Sequence, residues 1–149
     1  SESFPWIPNR ATIRPTPELI QRKEQTFLEI DEEWRSMEDF IMSTVFKKSV
    51  DVDNGRFFAV DYSVDSSTKV FRENDFPYQT PEGTHSVMWY GCKEQPYESA
   101  RITEDVSAAL ASELGSVDSS SYDFIWYINP KMSVPQFFHV QVFWIAHVH

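Results

Sequence analysis

The chain has a single cysteine, Cys92, in 149 residues, so no intramolecular disulfide can form and cysteines alone cannot hold a zinc ion. Such usage fits a reducing compartment. Glycine is also scarce. Four residues supply no Gly-rich loop to cradle phosphates, which excludes a P-loop nucleotide site, and neither zinc nor EF-hand spacing occurs. No cofactor and no metal are therefore expected. Basic residues are in deficit, 13 Lys and Arg against 23 Asp and Glu, for a formal net charge of -10. That balance disfavours broad binding to nucleic acid or to an anionic membrane, and only a local cluster of cations leaves tRNA open as a partner. No stretch approaches the roughly 18 apolar residues of a membrane span, and no charged-then-apolar leader is present. A soluble, cytoplasmic protein with a small-molecule substrate is expected, and no signal points to an oligomeric state.

Aromatic residues, by contrast, are plentiful: five Trp, six Tyr and twelve Phe can build a core or line a pocket for a flat or sugar-like ligand. The length suits one domain. Residues 1–15, with Pro5, Pro8 and Pro15, read as an extended arm, and 16–149 as a single domain. Thr16-Pro17-Glu18 is a helix start, after which Leu19, Ile20, Lys23, Phe27, Ile30 and Trp34 follow helical spacing. Ser36 opens a second helix to about Phe46. Beyond the turn Asp53-Asn54-Gly55 the pattern becomes strand-like, over Arg56 to Tyr62, Lys69 to Arg72 and His85 to Tyr90. A helix from about Thr103, as N-cap, ends at Gly115. Strands over Phe124 to Ile128 and Phe137 to Ala146 follow. This order predicts an α+β fold with a mainly antiparallel sheet, N-terminal helices and one crossover helix. Helices should cover one face of the sheet and leave the other for a ligand.

The last strand carries the most informative pair. His139 and Gln141 stand two apart in an otherwise apolar run, so both point to one face. They suit either a satisfied buried polar pair or an active site. His85, at a strand start after a Gly turn, is a candidate general acid or base or an edge histidine. Asn129, before Pro130, can orient a histidine or phosphate or simply close a turn. Ser133 lacks a Gly-X-Ser-X-Gly elbow, which favours a ligand hydrogen bond or an ordinary loop role over a nucleophile. Asp75 and Glu82 are loop acids that can pair or be solvated. Arg72, Lys93 and Arg101 lie near element ends and can hold phosphate charge. Trp89, Trp126 and Trp144 can stack on a ligand. His147 and His149 repeat the two-residue spacing and can bind a metal as a pair, but a frayed terminus is the better reading.

Several motifs carry a resemblance. Asn74-Asp75-Phe76-Pro77-Tyr78, Gly83-Thr84-His85-Ser86-Val87-Met88-Trp89, Trp126-Tyr127-Ile128-Asn129-Pro130, Ser133-Val134-Pro135 and His139-Val140-Gln141-Val142-Phe143 resemble the fungal N-acetylglucosamine-induced protein family, over roughly Val70 to Ile145. Gln141 stands where that family is expected to carry a second histidine. The order of parts is also similar, more distantly, to histidine-triad domains, whose galactose-1-phosphate uridylyltransferase branch carries a His-X-Gln like His139-Val140-Gln141. That likeness implies His139 as the nucleophile on phosphorus and Gln141 as a donor to phosphoryl oxygens, with Phe137 and Phe138 in place of the branch's preceding His-Pro. A neutral imidazole is nucleophilic near pH 7, and an amide donor steadies oxygen charge without pairing to the ring as a carboxylate would.

The expectation is thus a histidine-dependent transferase or hydrolase of a nucleotide-linked or phosphorylated metabolite. His139, Gln141 and His85 would carry catalysis, and Asn129, Ser133, Asp75, Arg72, Arg101, Trp89 and Trp126 would bind substrate. The alternatives are an acyl transferase such as a tRNA-dependent cyclodipeptide synthase, or a non-catalytic aromatic-lined sugar or metabolite-binding module.

Overall fold

Proline at the first position of a helix and an acid in its first turn suit the unpaired amides and the positive dipole end found there. Pro17 and Glu18 play those parts in α1 (Pro17–Glu33). The computed structural model describes residues 17–75, 83–115, 122–128 and 134–147; the arm and the Thr16 cap lie outside them. Along α1 only Ile30 is buried, while Leu19, Lys23, Thr26 and Phe27 are half-buried on the same stripe.

α2 (Met37–Thr44) starts at Ser36, whose hydroxyl accepts a hydrogen bond from the Asp39 amide at 3.1 Å. Such a cap satisfies one of the orphan donors of the first turn. Asp39 is fully buried. It accepts from the Ala59 amide at 2.9 Å and from Arg35 Nη2 at 3.1 Å, and the hydroxyls of Ser36 and Tyr62 also donate to it. This carboxylate fastens α2 to the hairpin of β1 (Val50–Asp53) and β2 (Arg56–Ala59). Asn54 and Gly55, at φ of 52° and 77°, give the two consecutive positive-φ residues that a type I′ hairpin turn requires. β1 is a strand that the sequence pattern does not announce: all four residues are exposed, so no buried face imprints an alternation.

The main sheet joins β3 (Lys69–Glu73), β4 (Thr84–Tyr90), β5 (Tyr122–Tyr127) and β6 (His139–Ala146) in the order β3-β4-β6-β5, all antiparallel. The expected α+β architecture is therefore present. α3 (Ser99–Leu114) crosses between β4 and β5 and ends at Gly115 in the left-handed conformation. It begins one turn before the expected Thr103, which is a helix-interior residue whose hydroxyl donates to the Ser99 carbonyl at 3.0 Å. Ser99-Ala100-Arg101 carries nothing that stops a helix, and the buried stripe Ile102, Val106 and Leu110 needs the earlier start to be helical from its first member.

Alternation divides the sheet residues. Met88, Tyr90, Val140 and Val142 share one face and pack on Ile102, Val106 and Leu110 of α3. Val87 and Trp89, register partners of Gln141 and His139, take the other and pack with Ile41 and Met42 of α2 and with Val45, its C-cap. Helices therefore cover both faces, which corrects the expectation of one open face. The face of His139 and Gln141 lies under the N-terminal helices.

Candidate functional site

A sheet face covered by helices exposes a polar side chain only where the packing leaves a gap. Between α1, α2 and the sheet lies a cavity of about 120 Å³. His139, Gln141, Trp89, Arg72, Asn74 and Lys23 are among its lining residues, with Phe27, Ile30 and Val45 in the apolar wall.

His139 is fixed by two contacts. Its Nδ1 lies 2.8 Å from the Phe137 carbonyl oxygen, and its ring stacks on Trp89 with centroids 4.3 Å apart. A ring nitrogen facing a carbonyl must carry the hydrogen, so Nδ1–H donates and the neutral ring keeps its lone pair on Nε2. No hydrogen bond from another described residue engages Nε2. Burial pushes the His139 pKa down; the Phe137 carbonyl opposes this, and the charge of Lys23 adds to it. The outcome is an imidazole below its ordinary value, neutral at physiological pH.

Gln141 is held from behind. His85 Nε2 lies 2.6 Å and Asn74 Nδ2 3.0 Å from its Oε1. Two donors on one oxygen set the orientation of the amide, and its NH₂ group has no acceptor among the described residues. His85 is nearly inaccessible and stacks on Phe143 with centroids 4.3 Å apart. Burial lowers its pKa from 6.5 to about 4 against the opposing effect of the Gln141 bond, so this ring too stays neutral. His85 pairs with Phe143 and His139 with Trp89, four strand positions apart, or roughly 13 Å at ~3.3 Å per residue. Gln141 stands between them. His85 does not line the cavity; of the acid or base and the hydrogen-bonded edge histidine that the sequence leaves open, its position suits the second, holding the amide of Gln141.

The other residues singled out from sequence divide in the same way. Arg72 lines the cavity and donates to the Thr44 carbonyl and to Asp75, each at 3.1 Å, and Asp75 and Trp89 line it as well. Arg101 and Trp126 are elsewhere. Arg101 lies on α3, 3.4 Å from Asp105 and over the Tyr97 ring, while Trp126 donates to Thr103 at 2.9 Å on the α3 side of the sheet. Trp144 Nε1 donates to Ser86 at 3.0 Å on that side too. Lys93 is exposed and does not line the cavity. Asn129, Ser133, Glu82 and His149 lie outside the described residues. His147 is 2.9 Å from Asp123 at the end of the sheet, and no cluster of metal-ligating side chains occurs among the described residues.

Among the lining residues that the sequence-level selection does not include, Lys23 and Asn74 bear most on the site. Lys23 is the only cation on the apolar stripe of α1, a signal present in the spacing itself. Asn74 follows β3, and its amide donates to the His85 carbonyl at 2.9 Å; only the strand pairing reveals that it reaches Gln141.

No family model matches the chain, and no curated protein matches it either. Among solved structures, the crystal structure of HTC1 is similar over 93% of this chain and 78% of that chain, with a TM-score of 0.51 and 19% sequence identity. Likeness at that identity concerns the fold alone.

Proposed function

We propose that the chain is a small histidine-dependent transferase or hydrolase acting on a phosphorylated metabolite in the cavity between the sheet and the N-terminal helices. The observation that carries this reading is the Nδ1–H bond of His139 to the Phe137 carbonyl, which leaves the lone pair of a neutral ring on Nε2 in a cavity-lining residue. In the first step Nε2 forms a bond to phosphorus while the ester P–O bond breaks, and the leaving oxygen departs with the bonding pair and takes a proton from water. The ring becomes cationic, a charge that the Phe137 carbonyl stabilises through Nδ1–H. The Gln141 NH₂ group supports the phosphoryl oxygens. Water or an acceptor hydroxyl then attacks phosphorus and gives up its proton to the hydroxide left by the first step, and the P–N bond breaks with its pair returning to Nε2, which restores the neutral ring.

The test uses para-nitrophenyl phosphate and acetyl phosphate as donors, with intact-mass and phosphorus-31 measurements. The expected result is an acid-labile phosphoryl adduct on His139 and turnover that disappears in His139→Ala. Wild-type turnover in a folded His139→Ala variant would sink the proposal. Binding without product, unchanged in that variant, would instead identify a metabolite-binding module that uses Trp89 and the apolar wall.

A further inference from the structure

Charge pairing in the cavity wall is uneven. Arg72 is matched by Asp75 at 3.1 Å. Lys23, half-buried on α1, has no carboxylate partner among the described residues, and its ammonium lies 5.7 Å from the Phe27 ring centroid. Cation–π contact with a single Phe offsets little of the cost of withdrawing an ammonium from water. Burial accordingly lowers the Lys23 pKa. An anion brought by a ligand supplies the missing partner.

The same wall limits how much negative charge can enter. Asp75 lines the cavity beside Arg72 and is already paired with it, while Glu73 is the register partner of Ser86 and points its side chain to the α3 face; of the two cations that line the cavity, only Lys23 stands without an ion-pair partner among the described residues. A second or third phosphate would meet the Asp75 carboxylate with no further unpaired cation to balance it.

We infer that the cavity selects a phosphate monoester with an otherwise uncharged body, and that Lys23 holds its phosphate group beside His139. Nucleoside di- and triphosphates are rejected. This inference rests on the functional reading above for the cavity's use, and it adds the substrate class and a binding residue that the sequence analysis does not select.

Calorimetry with inorganic phosphate and pyrophosphate tests it on the whole chain. Phosphate should bind wild type, weaken about tenfold or more in Lys23→Met and recover in Lys23→Arg, as expected for a lost charge-assisted hydrogen bond. Pyrophosphate should bind no tighter than phosphate. Unchanged circular dichroism and melting temperature in Lys23→Met serve as the folding control, since the side chain has no ion pair to lose. No phosphate binding to wild type, equal affinity in Lys23→Met, or tighter binding of pyrophosphate would each overturn the inference. Lys23-dependent phosphate binding without any adduct on His139 would retain it and remove the transferase reading; an adduct on His139 that forms equally in Lys23→Met would do the reverse.

Discussion

A buried imidazole held neutral makes stability depend on pH in a window set by its own shift. His85 has an ordinary value of 6.5 in the unfolded chain and about 4 in the fold. Between those values the unfolded state binds the extra proton, so the stabilisation is complete above pH 6.5 and is lost as pH falls towards 4. The difference corresponds to roughly 3 kcal/mol at ~1.4 kcal/mol per unit. His139 adds to it with the same sign. Asp39 acts in a lower window. Burial would raise its pKa, but the bonds from Ser36, Tyr62, the Ala59 amide and Arg35 outweigh that and hold it below 3.8, so its contribution disappears only in stronger acid. Urea midpoints should therefore fall from pH 6.5 to 4 in wild type. In His85→Gln, which keeps an amide donor for Gln141 but no titrating ring, the fall should be shallower. An equal slope in the two proteins would refute the assignment to His85.

At the scale of the element, legibility followed burial and backbone chemistry. Ser36, Pro17, the Asn54-Gly55 turn and Gly115 act where the sequence places them, because caps and positive-φ turns are local events. The first turn of α3 and the strand β1 were not legible: Glu98 makes no side-chain cap bond, and β1 has no buried face. Gly91 illustrates a constraint that only tertiary structure reveals. Its φ is ordinary, yet a Cβ there would lie 2.5 Å from the Asp65 carbonyl oxygen and 2.6 Å from Val64 Cγ1. The obstacle is partly backbone, and the Gly91 amide also donates to the Thr68 carbonyl at 3.1 Å. Gly91→Ala should cost about 1–3 kcal/mol by overpacking the loop that leads into β3. Chemical denaturation checks this, and a loss below about 0.5 kcal/mol would mean the loop moves away freely.

Across the whole molecule, the site is where a rigid sheet meets a lightly attached helix. The sharing of one face by His139 and Gln141 followed from strand alternation, but the cover on that face did not, since which helices pack on which side depends on long-range pairing that no local pattern encodes. β4 is buried at every position after Thr84, and β6 over its first five residues, between helices on both faces. α1 buries Ile30 alone, yet it contributes Lys23 and Phe27 to the cavity wall. Local opening draws on the elements with the least buried apolar surface, so α1 should detach at lower free energy than the sheet unfolds. Hydrogen exchange should then show α1 amides the least protected of the three helices and those of central β4 and β6 the most. Ile30→Ala should speed exchange in α1 while leaving β4 and β6 nearly unchanged, because the side chain it shortens anchors that helix rather than the sheet. Equal acceleration throughout would mean that α1 and the sheet open as one unit, and Lys23 would then be as firmly placed as His139.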